Sequence, residues 1–378
     1  MKNLGLYIHI PFCVHKCDYC DFVSYVGQEK LYEQYVQALI LEVKSLSKLK
    51  EYEIDTIYFG GGTPSILNEK YIKQIMNIIK NNLVVKENAE ITVEVNPGTV
   101  TKQKLKNYIQ SGINRISIGL QETHNELLKQ ISRIHTYEQF LQTYDLARKA
   151  GFKNINIDLM IGLPNQKIEQ VKENIKRIIE LNPEHISIYS LIVEEGTKIY
   201  KDLENGKISL PDELVERKMY WLVKKELEKN GYIQYEISNF CKKDYKSKHN
   251  YNCWEQKEYI GVGIAAHSYI NQKRFSNITN LQNYIKNCKD EKFEDNRILH
   301  EIQTIEEMKK EYMLLGLRTI NGISIQKFKQ KFGENPIYIF RKELQKLVEE
   351  KLLEIDSDRI YLTNKGIDLA NLVWEEFV

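Results

Sequence analysis

The sequence predicts an α/β fold: a partial (β/α)6 barrel, open on one side, followed by a helical, winged-helix-like C-terminal domain. Two observations predict the barrel. Short apolar runs rich in β-branched and aromatic residues alternate with amphipathic segments of helical period over the first 180 or so residues. The polar residues that look functional fall just past the ends of those runs, where ligands gather in parallel α/β sheets and barrels. A third observation sets the tail apart: helical segments there are followed by a short hairpin pattern with a polar turn.

Six runs read as strands: Leu4–Ile10, Ile54–Gly60, Ile91–Asn96, Arg115–Leu120, Asn154–Ile161 and His185–Ile192. Between them the helical period appears in Leu31–Leu49, Glu69–Asn81, Lys102–Ser111, Tyr137–Ala150 and Ile168–Leu181, with Gly112 and Gly151 where helix C-caps belong. Strict alternation implies parallel strands joined by right-handed crossovers. A long helix is expected from Pro211 to about Lys229. The charged stretch Cys288–Asp295 reads as a linker, and Glu306–Leu317, Ile325–Phe332, Ile337–Lys351 and Leu369–Phe377 as helices around a hairpin at Leu352–Leu362. Three parts are therefore expected: 1–230, the barrel; 231–300, a segment covering it; and 301–378, the winged-helix-like domain.

Length and charge bound the function. A chain of 378 residues can bury a large core, and a net charge of +2 gives no polyanion-binding signal, so no nucleic-acid role is expected even for a winged-helix-like tail. No apolar run is long enough to span a membrane, so no direct anchor is expected. His9 interrupts the apolar N-terminal stretch and no small-residue cleavage site follows it, so the expected location is cytoplasmic. Cys241, Cys253 and Cys288 show no metal spacing and read as buried thiols.

The decisive residues are Cys13, Cys17 and Cys20, a C-x3-C-x2-C triplet on the loop after the first strand. Three thiolates can hold three irons of a [4Fe–4S] cube and leave the fourth iron open to a small molecule. A zinc site would need a fourth ligand, which here would have to be His9, His15 or a distant residue. Gly60-Gly61-Gly62-Thr63-Pro64 follows the second strand, where glycines allow close backbone approach to a ligand. Glu94 and Asp158 lie in otherwise apolar strands, and a buried carboxylate must be paired or functional. Gln121 closes the fourth strand, where it either serves a ligand or satisfies backbone groups.

The cysteine loop together with the Gly-Gly-Thr-Pro run resembles the radical S-adenosylmethionine (SAM) superfamily. The resemblance is closest to the oxygen-independent coproporphyrinogen III dehydrogenases and their HemW-type heme-chaperone relatives, and it covers nearly the whole chain. It implies a [4Fe–4S] cluster on Cys13, Cys17 and Cys20 and SAM chelating the open iron, with the reduced cluster able to break a C–S bond of SAM. It further implies Tyr7 and Phe22 packed near the methionine and adenine parts, with Gly61, Gly62 and Thr63 lining the SAM sites. Glu94 would bind the ribose, and Gln121, Arg133 and Asp158 match positions that contact a second SAM in the dehydrogenases. Ser132 departs from the glycine more usual there. The run His249-Asn250-Tyr251-Asn252-Cys253-Trp254 resembles the heme-binding H-N-x-x-Y-W signature of the chaperone branch, with Cys253 in place of the tyrosine. His249 is then the expected heme ligand, with Cys253 and His267 as alternatives.

Two features separate the branches. The dehydrogenases carry a further cysteine two positions after the triplet, where this chain has Phe22, and an extension before the cluster motif, whose tyrosine is here residue 7. The expected function is therefore a heme chaperone that binds cluster, SAM and heme and delivers heme to respiratory hemoproteins, some of them membrane-associated. The alternative is decarboxylation of coproporphyrinogen III, and homodimerisation through the cluster region is an open expectation.

Overall fold

The computed structural model describes residues 1–378. Six parallel strands form its centre: β1 (Lys2–Ile10), β2 (Tyr52–Gly61), β3 (Val85–Val95), β4 (Arg115–Gln121), β5 (Ile155–Ile161) and β6 (His185–Ser190), adjacent in that order. Each agrees with an expected strand. The crossover helices are α1 (Tyr32–Ser45), α2 (Glu69–Asn82), α3 (Lys102–Gln110), α4 (Tyr137–Ala150) and α5 (Ile168–Leu181). The sheet stays open, as the sequence predicts, but it is larger than six strands.

Residues 233–302 lengthen both edges. Beyond β6 lie β7 (Ile233–Glu236) and β8 (Asn239–Cys241), both antiparallel. Beside β1 run β9 (Tyr259–Val262), parallel, and then antiparallel β10 (His267–Ile270), β11 (Lys273–Asn277) and β12 (Arg297–Ile302). The result is one 12-stranded sheet. The charged stretch is no free linker: Cys288 is buried on the helix Leu281–Lys289, and a 3-10 turn at Phe293–Asn296 leads straight into β12.

The inner and outer faces of the barrel differ in chemistry. Leu6, Ile8, Phe59, Val93, Ile118 and Ile157 point outward and are buried beneath the helices. Alternate residues point inward and are polar or aromatic: Tyr7, Tyr58, Glu94, Ser117, Asp158 and Tyr189. The period-2 alternation of a strand thus places a hydrophobic layer outside and a polar lining inside.

One buried carboxylate ties α1 to the added edge. Glu42 accepts from the Gly263 N–H at 2.8 Å, from Asn277 Nδ2 at 2.7 Å and from the Tyr284 hydroxyl at 2.6 Å. Burial raises its pKa, against these hydrogen bonds. Glu42→Ala is expected to cost about 3 kcal/mol, because three buried donors lose their acceptor. The urea midpoint measures this, and a loss below about 1 kcal/mol would show the donors re-paired with solvent.

The C-terminal unit packs α6 (Ile305–Gly316), α7 (Ile325–Phe332) and α8 (Arg341–Glu349) with a three-stranded sheet of Ile323–Ser324, Leu353–Ile355 and Arg359–Leu362. The last two strands form the expected hairpin. The unit docks on the short helix Lys248–Trp254: the Arg318 guanidinium lies between the Trp254 and Trp374 rings, at 4.5 and 4.6 Å from their centroids. No helix is long and apolar enough to cross a membrane.

Candidate active site at the cluster loop

A cavity of about 410 Å3 opens at the carboxyl ends of β2 to β6. Its wall contains Cys13, Cys17, Cys20, Phe22, Gly61, Gly62, Thr63, Glu94, Gln121, Arg133 and Asp158. Eleven of the thirteen residues singled out from the sequence thus share one wall; Tyr7 and His249 do not. A second cavity of about 280 Å3, lined mainly by leucine, isoleucine and tyrosine, sits at the opposite ends of the strands and offers little chemistry.

The cluster loop is held from several sides. Gly62 N–H donates to the Ile10 carbonyl and Thr63 N–H to that of Phe12, both at 2.8 Å. A Cβ on Gly62 would stand 2.8 Å from the Phe12 carbonyl oxygen and 3.0 Å from Cys13 Sγ, so only glycine permits this approach. Gly61 takes φ +112°, and a Cβ there would meet the His9 ring at 2.6 Å. His9 Nε2 reaches the Val23 carbonyl at 2.9 Å, pinning the loop's exit, while Nδ1 lies 3.1 Å from the Tyr7 hydroxyl. Both ring nitrogens are used, so His9 supplies no fourth metal ligand. Lys198 Nζ grips Asp18 at 2.7 Å from outside.

The donor chemistry fits an iron–sulfur cube: Cys13, Cys17 and Cys20 are three free thiols on one loop lining one cavity, the ligand type and number that leave one iron of a [4Fe–4S] cube open. Burial pushes the Cys20 thiol up to about 11, so iron must displace its proton on binding.

The polar wall beside the cysteines offers groups to a ligand. Arg133 donates through one terminal nitrogen to Asn96 Oδ1 at 2.9 Å and the Gly119 carbonyl at 2.7 Å, and through the other to Cys17 Sγ at 3.5 Å. Its Nε is buried without a partner, while the side chain lines the cavity. Arg133 is therefore no ordinary surface cation. Ser132 before it adopts φ +56°, the left-handed conformation that glycine takes freely, which explains why glycine suits this position. Gln121, at φ +73°, is likewise held in a conformation that marks functional sites.

Glu94 accepts from the Tyr58 hydroxyl at 2.8 Å, and burial pushes its pKa up to about 7. Asp158 accepts from Ser117 Oγ at 2.9 Å and Asn156 Nδ2 at 2.7 Å; burial raises its pKa too. Phe22 stands at the cavity rim, 62 % exposed. Sequence reasoning missed Tyr19, Tyr58, Ser117 and Tyr189, which also line the cavity. The signal was available for the last three: each occupies an inward position of a strand whose alternate residues are apolar.

Tyr7 and His249 lie together deeper in the barrel. The His249 ring packs on those of Tyr58 and Tyr7, at 5.2 and 6.5 Å between centroids, and its Nδ1 is 2.9 Å from Thr56 Oγ1. The Glu90 carboxylate accepts from the Lys248 and His249 N–H groups, each at 3.1 Å, and so caps the helix that carries the motif. Cys253 Sγ turns back to the His249 carbonyl at 3.5 Å, and burial pushes its thiol up to about 11, the state of a space-filling side chain.

Comparisons with known proteins agree with this geometry. Residues 7–178 match the Radical SAM superfamily and residues 304–369 the HemN C-terminal domain. The chain is 38% identical over 376 residues to the heme chaperone HemW of Bacillus subtilis, covering 98% of each chain. It is 38% identical over 377 residues to that of Lactococcus lactis, covering 100% of this chain and 98% of the relative. The structure of coproporphyrinogen III oxidase (HemN) from Escherichia coli superposes with a TM-score of 0.86 at 24% identity, over 100% of this chain and 90% of that one, which shows the shared fold. With its C-x3-C-x2-C loop, its open barrel and its full-length likeness to these relatives, the chain belongs to the radical SAM superfamily and, within it, to the HemW-type family.

Proposed function

We propose that this protein is a heme chaperone: it holds a [4Fe–4S] cluster and SAM in the cavity at the barrel mouth, binds heme, and passes heme to recipient hemoproteins in the cytoplasm or at the membrane surface. The observation that carries the reading is likeness to heme chaperones through both the barrel and the C-terminal unit, over 98% and 100% of this chain. Phe22 agrees with it, standing where the dehydrogenases carry a cysteine.

Within the cavity, Cys13, Cys17 and Cys20 would hold the cluster, and the bound cluster would supply a reducing electron and an open iron for SAM. Glu94 would accept from the ribose hydroxyls, and the Arg133 charge on the cavity wall would attract an anionic group. Gln121 and Asp158 would orient the remaining polar atoms of the ligand, as would Gly61, Gly62 and Thr63. Phe22 would cover the apolar edge from the rim, and Tyr7 would act from beneath by supporting Tyr58.

Anaerobic titration of the reconstituted protein with hemin, followed by Soret absorbance, tests the reading. Saturable binding near one heme per chain is expected, together with no loss of carboxyl groups from coproporphyrinogen III supplied with SAM and reductant. Decarboxylation of that substrate without saturable hemin binding would return the chain to the dehydrogenases.

A further inference from the structure

The chain has eight histidines, and three of them have both ring nitrogens hydrogen-bonded. His9 and His185 use both nitrogens, and His124 is held between Glu122 and Glu173. His135 is buried against the Leu120 carbonyl. His249 is 7% exposed, bonded to Thr56 and packed against two tyrosines, so a macrocycle could reach it only by dismantling the barrel interior. His267 and His15 are different: both are exposed, and neither has a hydrogen-bond partner within the protein for its ring nitrogens, but only His267 stacks on a second imidazole.

His267 sits on the edge of the sheet that the sequence did not foresee. Its ring stacks on that of His300, with centroids 5.6 Å apart and planes 18° from parallel. His300 is exposed on β12, and its Nε2 is 2.8 Å from Ser276 Oγ, which fixes the ring. Register places His267, Ser276 and Ile298 in one row across β10, β11 and β12, so Ile298 shares the face with both imidazoles. Ile298 is 45% exposed on this face; Leu299 and Ile302, also exposed, pair with Phe275 and Lys273 and so belong to the other face.

Resting on the heme-binding reading above, we propose that His267 is the axial ligand of the heme iron. His300 acts as the stacked positioning residue, and Ile298 provides apolar contact for the macrocycle. An exposed imidazole beside an exposed aliphatic side chain suits a flat, apolar, iron-centred ligand. A ligating imidazole is ordinarily oriented by neighbours, as His300 is by Ser276 and His267 by stacking on His300. Partial burial, with His300 and Arg274 nearby, lowers the His267 pKa and favours the neutral, ligating form. The Arg274 guanidinium on the same face is already paired with Glu301 and Glu311.

Hemin titration of the reconstituted full chain decides the matter, with His267→Ala, His300→Ala, His249→Gln and His15→Ala in parallel. His15 is included because it is exposed on the cluster loop beside Val14. His267→Ala is expected to weaken hemin binding by at least about tenfold and to lose the imidazole-ligated spectrum, which added imidazole restores. His300→Ala is expected to weaken binding less and to keep that spectrum. His249→Gln is expected to keep both affinity and spectrum, whatever its melting temperature. Unchanged binding in His267→Ala, with the loss in His249→Gln or His15→Ala instead, would overturn the assignment while leaving heme binding intact. No saturable binding by the unsubstituted protein would overturn both the assignment and the reading beneath it.

Discussion

Cys17→Ala is expected to fold normally and to retain less than about one tenth of the wild-type cluster iron after anaerobic reconstitution, since two thiolates cannot hold a cube against exchange with solvent. The fold should survive because the loop has other anchors: His9 to Val23, Lys198 to Asp18, and the Gly62 and Thr63 amides to the strand before the triplet. Removing the thiol also leaves Arg133 without one of its partners, 3.5 Å away. SAM affinity should therefore fall with the iron content. Iron and sulfide analysis beside far-ultraviolet circular dichroism reads both parts. A full complement of iron in this variant would show that Cys17 is not a ligand and would remove the basis for the site.

The second large effect concerns Glu94 and pH. Burial first, and then the nearby Asp158 charge, hold its pKa at about 7 against the hydrogen bond from Tyr58. Folded, the group keeps its proton to higher pH than in the unfolded chain. Its contribution to stability is thus complete below about pH 4.5 and is lost progressively as the pH rises through about 7, a change of about 3 kcal/mol. Ligand binding should run the other way, because a ribose hydroxyl donates better to the carboxylate. Between pH 6 and 8 the ionised fraction rises about tenfold, and SAM affinity should rise by about the same factor. Glu94→Gln should flatten both profiles. Calorimetric SAM titrations at several pH values test this, and an affinity that falls or stays level from pH 6 to 8 would show that Glu94 does not meet the ligand as a carboxylate.

How far the sequence reached is instructive. The six barrel strands were legible because β-branched runs alternating with amphipathic helices carry two distinct periods. The cavity wall was legible because polar and glycine residues close the carboxyl ends of those strands, as Gly61, Glu94 and Gln121 do. The added strands were not legible. β8, β9 and β10 have three or four residues each, too short for a period to show, and β12 exposes five of its six residues. Its Ile298 and Ile302 are not core signals at all. Tyr7 and His249 were linked to the ligand by resemblance, but they lie outside the cavity wall, packed against the Tyr58 ring. Arg133 was ambiguous in sequence because a lone arginine on a loop has no pattern; only the approach of Asn96, Gly119 and Cys17 gives it a role.

The central claim, that the chain carries heme rather than remaking a porphyrin, is tested most directly by following heme out of the protein. Hemin-loaded protein would be mixed anaerobically with a heme-free apo-hemoprotein, and the acceptor's Soret band recorded over time beside the same hemin supplied on albumin. The account predicts transfer faster than from albumin, leaving this protein heme-free and able to load again. Heme that stays bound while the acceptor remains empty would contradict it.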